Sequence, residues 1–258
     1  MKHGFIDQYS DLDSFIHKLD PRTKLLATLA FILAVVATPP TRWQAFACYL
    51  VLLAALILIS RLQILYVLRR ALVIIPFVLM IAIFIPFFKE GERAGGYNVW
   101  LWEVSVTYSG LLVLWNVVIK AWLSVLSMIL LTATTPLPNL LKGMAQLKLP
   151  QVLVMILSFM YRYIFILADE AMRMRRAWES RNFSTSRKRH IRTVGSMIGT
   201  LFLRSYERGE RVYAAMLARG FEGQARTLHQ LSFGRGDFLY GVTLFLFLAS
   251  VSLVTWLS

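Results

Sequence analysis

Two short stretches of this sequence carry arginines at a spacing that suits docking on a partner rather than bond-making chemistry. Arg173, Ala177, Arg181 and Phe183 recur 38 residues later as Arg211, Ala215, Arg219 and Phe221, the pattern R-x3-A-x3-R-x-F. A spacing of four puts Arg, Ala and Arg on one face of a helix, and the small Ala allows another surface to approach. The final Arg falls in the last helical turn, where the helix dipole favours a cation. Asn182 in one copy and Gly220 in the other are the residue types that a left-handed helix cap requires. Each helix thus finishes in a guanidinium at a defined tip, flanked by an aromatic. Bidentate pairing with carboxylates at an interface is the chemistry such a tip offers. Capping of a solvated basic face, or attraction to anionic lipid headgroups, is the plainer reading of each tip alone. Duplication favours a partner surface with two similar sockets.

Other chemistry-bearing residues are sparse. His3, His17, His190 and His229 are dispersed without ligand spacing, and Asp7, Asp11 and Asp13 lack the glycine and distal glutamate of a calcium loop. No metal site is expected on the chain. Cys48 is the single cysteine and lies in an apolar run, which suits a small buried thiol and excludes a disulfide framework. No G-x4-G-K-[ST] phosphate loop occurs, so any ATP must be hydrolysed by a partner. Lys120 stands inside an apolar run. An intramembrane cation is a candidate functional site by default, here a candidate partner contact, although a lysine near a helix end can also snorkel to the interface.

The elements that position these residues follow from composition. Of 258 residues 57% are hydrophobic and 16% charged, yet the net charge is +14 and the mean hydropathy is +0.60. Both extremes fit in one chain only if lipid is the main solvent and the charges are segregated. Apolar runs long enough to cross a bilayer lie near 24–40, 43–60, 71–88, 105–134 and 237–257. The first has no small-residue cleavage site and is expected to remain. Pro76 and Pro86 predict a kink in the third. The stretch from Lys89 to Glu103, slightly acidic and containing Gly91, Gly95 and Gly96, reads as a loop on the side opposite the arginines.

Residues 136–236 hold 17 Lys and Arg against six acids, a net of +11. Hydropathy alone would make 152–168 another span. If it crossed, the fourteen basic residues after Arg162 would face outward, against the positive-inside rule, so it is read as a cytoplasm-side helix. Pro150 starts a helix that continues to Arg181, and a second runs from His190 to Arg219, with Gly195, Gly199 and Gly209 as points where it could kink. The expected architecture is an all-α membrane protein: about five transmembrane helices plus a long cytoplasmic helical hairpin. Its parts are residues 1–134, 135–236 and 237–258, with the N-terminus and the hairpin in the cytoplasm of a multi-pass cell-membrane protein.

Combined, these features resemble the transmembrane (T) component of energy-coupling factor transporters, most closely the cobalt/nickel type known as the CbiQ family. Leu19-Asp20-Pro21-Arg22-Thr23-Lys24-Leu25-Leu26 resembles that family's opening motif, and the stretch from Leu147-Lys148-Leu149-Pro150 to Tyr161-Arg162-Tyr163 its entry into the cytoplasmic helices. The tips occupy the places of its paired Ala-Arg-Gly motifs. Ala218-Arg219-Gly220 matches fully, whereas Ser180-Arg181-Asn182 keeps only the arginine. The resemblance implies a non-catalytic subunit joining two cytoplasmic ABC-type ATPases, which bind ATP and Mg, to a separate membrane subunit that binds substrate. Arg181 and Arg219 would each enter a groove on one ATPase, with Arg173, Ala177, Phe183, Arg211, Ala215 and Phe221 supporting them.

The runner-up reading is a self-contained secondary transporter or channel using Lys120. An enzyme lacks a convergent His/Asp/Glu or Ser/His set, and nucleic acid gains little from basic tips tethered to a membrane bundle.

Overall fold

The computed structural model describes residues 14–82, 84, 93–99, 102–181, 187–223 and 233–257. It divides into two compact units, residues 4–143 with 231–258, and residues 144–230 with 1–3. The first holds the apolar bundle and the second the basic hairpin.

The bundle opens on a single turn, α1 (Phe15–Lys18), followed by α2 (Pro21–Ala37). Asp20 and Pro21 are a sequence-encoded start signal. The Asp20 carboxylate accepts the Arg22 N–H at 2.9 Å, and Pro21 has no N–H to leave unsatisfied in the first turn. After the Pro39–Pro40 turn comes α3 (Trp43–Ile59).

The third apolar run is not one kinked helix: it opens on the last two residues of α4 (Ile64–Leu72), breaks at residues 73–74 and resumes as α5 (Ile75–Ala82). Pro76 is the reason. A proline ring collides with the carbonyl four residues back; here that is Leu72, where α4 stops. Pro86 lies outside the described residues.

The stretch expected to be a loop contains a β-hairpin. β1 (Arg93–Val99) and β2 (Trp102–Thr107) pair antiparallel, with Tyr97 opposite Val104 and Val99 opposite Trp102. The glycines suggested a loop, but Trp102, Val104 and Val106 alternate with polar residues and are strand formers at period two. The long helix α6 (Tyr108–Thr134) therefore starts after this strand and not at residue 105. It is followed by the short α7 (Leu137–Gln146), the hairpin helices α8 (Gln151–Arg181) and α9 (Arg187–Ala218), and α10 (Arg235–Leu257). Gly195, Gly199 and Gly209 do not interrupt α9.

The core of the bundle is one stripe per helix: Ala27, Phe31 and Val35 from α2, Tyr49, Leu53 and Ile57 from α3, Leu123, Leu126 and Leu130 from α6, and Leu244 and Leu248 from α10. Steps of three and four residues bring each stripe inward. Phe31 and Tyr49 meet edge to face at 5.6 Å, and the Tyr49 hydroxyl lies 3.3 Å from Thr38 Oγ1. Leu29, Leu33, Val51 and Leu58 on the outer faces are exposed, as expected for helices apolar all round with lipid as solvent. By length and composition α6, α8 and α10 can cross a membrane, and α3 is a shorter apolar helix. The chain is an all-α membrane protein with one small β-hairpin among its described residues.

Leu53 is 2% exposed and Leu58 64% exposed on the same helix. Leu53→Ala should lower the unfolding free energy by about 2 kcal/mol or more, measured by titration with a denaturing detergent. Leu58→Ala should change it by less than about 0.5 kcal/mol.

Candidate docking site at the hairpin tips

The hairpin helices are 31 and 32 residues long. Trp178 and His190 stack edge to face at 4.6 Å, and further along Glu170 of α8 accepts a hydrogen bond from Arg204 of α9. Contacts that advance along α9 while receding along α8 define an antiparallel pair. Between the arms, beside the Trp178–His190 contact, lies a groove of about 410 Å³ lined by Met174, Val194 and Met197 among others. No described residue from 144 to 223 is buried.

Antiparallel packing decides where the tips go. Arg181 ends α8 near the start of α9, whereas Arg219 follows the far end of α9, about 48 Å away by helix rise. The two helix C-termini therefore point in opposite directions.

The second tip has a complete cap. Gly220 adopts φ +79°, its N–H bonds to Leu217 O at 3.0 Å, and the Phe221 N–H reaches back to Met216 O at 3.1 Å. This is the Schellman arrangement, with Phe221 and Met216 at the positions of its apolar contact. Arg219 is thereby the last residue before a fixed reversal of the chain. At the first tip α8 ends at Arg181, and Asn182 and Phe183 lie outside the described residues. Ser180 and Ala218 are exposed beside their arginines, and the Ser180 hydroxyl is spent on Ala177 O at 3.0 Å.

The repeated motif splits into two roles. Arg173 is held by Glu170 at 2.5 Å and Arg211 by Glu207 at 3.8 Å, each acid one turn back. Arg181 and Arg219 are exposed and have no carboxylate partner among the described residues. Ala177 and Ala215 are exposed between them. The inner arginine of each repeat is thus paired with an acid on its own helix, whereas the outer one has no such partner among the described residues.

A family model described as cobalt transport protein, CbiQ, matches residues 13–230. The chain belongs to the CbiQ family. Its similarity to an energy-coupling factor transporter transmembrane protein, EcfT, of Lactococcus lactis is 26% identity over 269 residues, 99% of this chain and 98% of that one. The cobalt transport protein CbiQ of Rhodobacter capsulatus is 35% identical over 98 residues, 38% of this chain and 40% of that one. An uncharacterized protein of Methanocaldococcus jannaschii, MJ1089, is 35% identical over 105 residues, 41% of this chain and 39% of that protein.

Away from the tips of this CbiQ-family chain, Lys120 of α6 donates from Nζ to Val36 O at 2.7 Å. Val36 is in the last turn of α2, whose carbonyls have no intrahelical partner. The lysine closes a helix end, the position where a cation is favoured. Among the described residues no group of three or more His, Cys, Asp or Glu could hold a metal ion. Sequence reasoning named Lys24 as part of the opening motif and passed over Asp237. Both are buried. The available signal was that Asp237 is the single acid in the last apolar run.

Hydrogen bonds from Arg173 and Arg204 hold the Glu170 carboxyl below the usual carboxylate range. A carboxyl with a depressed folded pKa contributes stability that is present above its unfolded value, near 4.5, and is lost as pH falls through the folded value. Spin labels at Met174→Cys and Met197→Cys, in a Cys48→Ser background, should therefore separate in strongly acidic buffer, and Glu170→Gln should remove that acid dependence. At the second tip, Gly220→Ala should weaken the cap by about 1 kcal/mol, read as faster hydrogen exchange at the Phe221 amide.

Proposed function

We propose that this chain is the energy-coupling membrane subunit of an importer of the energy-coupling factor class. Two cytoplasmic ABC-type ATPases dock on the hairpin, one at Arg181 and one at Arg219, and bind the ATP and Mg themselves. The hairpin and the N-terminus lie on the cytoplasmic side of the cell membrane. Closure of the ATPase pair on nucleotide moves the arms, and the motion passes to a separate membrane subunit that binds the substrate, cobalt or nickel. The chain itself carries no catalytic role.

One observation carries this reading: two exposed guanidiniums sit at opposite ends of one hairpin, each without a carboxylate partner among the described residues, while Arg173 and Arg211 one face-repeat earlier each have one. Exposed arginines at two separated tips suit acidic sockets on two bodies. The arms also expose Ile198, Phe202 and Tyr206 on one face of α9, apolar surface that a second membrane subunit would cover. Relatives named as energy-coupling factor transmembrane proteins support the same assignment along nearly the whole chain. The transporter reading built on Lys120 loses its main support, because that ammonium is engaged with the end of α2.

Arg181→Glu combined with Arg219→Glu tests the proposal. Loss of a paired interfacial arginine costs about 2–5 kcal/mol, so the double variant should insert normally yet retain less than about a tenth of the co-purifying ATPase. Uptake of radiolabelled cobalt(II) by cells carrying the full complex should vanish with it. Undiminished capture and uptake would overturn the assignment.

A further inference from the structure

The chain leaves α6 at Thr134–Thr135 for α7, whose residues up to Gly143 still belong to the bundle, and α10 starts at Gly234–Asp237 after the chain has come back to the bundle at residue 231. The first turn of α2 bonds to both of these helix ends. Toward the end of α6, Lys24 Nζ donates to Thr134 O, Thr135 Oγ1 and His17 O, each at 3.2 Å. Toward the start of α10, Asp237 Oδ1 accepts the Asp20 N–H at 2.6 Å, and Asp237 Oδ2 accepts the Gly234 N–H at 2.8 Å, closing the first turn of α10 on itself. Asp20, Lys24, Thr134, Thr135 and Asp237 are all at most 5% exposed. On the next element, a Cβ at Gly143 of α7 would stand 3.3 Å from Pro21 Cβ, so the same turn of α2 is also packed tightly from that side.

The chemistry of the cluster makes Lys24 its centre. An ammonium has three protons to donate, and three acceptors surround this one. Two carboxylates share the buried space. Asp20 Oδ2 has no hydrogen-bond partner among the described residues, and the Arg22 Nε is 3.9 Å from Oδ1. Lys24 and Arg22 stand on the same first turns of α2 as Asp20, and removing the buried ammonium leaves two buried carboxylates with less opposite charge beside them. A scaffold that needed only apolar packing would not place charges here.

We infer that Asp20, Lys24 and Asp237 form a polar latch that ties the end of α6 and the start of α10, the bundle helices that precede and follow the hairpin in the chain, to the start of α2, so that force reaching either of them moves the bundle as one body instead of being absorbed where they join it. These are positioning residues for coupling. The inference rests on the function proposed above for its coupling half. Its structural half, the tie between these helix ends, stands without it.

The test has two arms. In the first, the detergent-solubilised full chain carries spin labels at Pro138→Cys and Phe238→Cys in a Cys48→Ser background, beside the end of α6 and the start of α10. Lys24→Met and Asp237→Asn should at least double the width of the inter-label distance distribution, and Lys24→Arg, which keeps the charge and the donors, should restore it. In the second, the full chain is co-expressed with its ATPases and substrate-binding subunit and reconstituted in liposomes. The latch variants should retain ATPase capture and ATP turnover within twofold of wild type, while cobalt(II) uptake per ATP falls at least tenfold and Lys24→Arg recovers it. A distribution that stays narrow in Lys24→Met and Asp237→Asn overturns the latch. Broadening with undiminished uptake per ATP overturns its role in coupling, as does loss of ATPase capture in parallel with uptake, which marks a merely structural cluster. A wild-type chain that captures no ATPase counts against the proposed function alone, and the distance arm still decides the latch.

Discussion

An ammonium 4% exposed inside an apolar bundle is tolerated only when its protons are all accepted and opposite charge stands nearby. Lys24 meets that requirement through three oxygens from two places in the chain, His17 and the adjacent Thr134 and Thr135, with Asp20 and Asp237 as the acids of the same cluster. The geometry of the bundle's polar end follows from this one group. The start of α2, the end of α6 and the start of α10 cannot drift apart without stranding a donor or a carboxylate. Apolar stripes along the same helices pack the remainder, but such stripes resist sliding far less than a set of directional bonds does.

The hairpin solves the opposite problem. Its charges stay in the open, its two long helices meet through a few contacts such as Trp178–His190 and Glu170–Arg204, and none of its described residues is buried. Helices of this length hold together by local bonding and by short-range ion pairs such as Arg175–Glu179 at 2.8 Å. They gain little from a shared core. Such arms are suited to act as levers between other bodies, with exposed arginines at the ends and apolar residues along one side.

Where the sequence was read wrongly, a competing local rule explains the outcome. Pro76 was expected to bend a helix and instead ends one, because its clash falls on Leu72 and the bundle offers a short turn there. Glycines near residue 95 concealed the alternation that makes β1 and β2 a hairpin. By contrast the Arg-Gly-Phe end of α9 was fully legible: a glycine cap is dictated by the chirality of its own few residues and owes nothing to distant contacts. The related Ser180-Arg181-Asn182 end keeps the arginine and changes both neighbours.

By itself the sequence determined what depends on neighbours within a few turns: the apolar runs, the segregation of +11 of the net charge into residues 136–236, the starts and stops of the long helices and the two arginine motifs. Only the tertiary structure decided which buried polar groups are partners. Asp20 and Asp237 are 217 residues apart, and Lys24 and Thr134 are 110 apart; no periodicity connects such positions. The fold likewise brought the Lys120 ammonium of α6 to the last turn of α2, 84 residues away, where it donates to Val36 O. The physical reason is that helix propensity and capping act over a few residues, whereas the cost of an unpaired charge is settled by whatever the rest of the chain brings beside it.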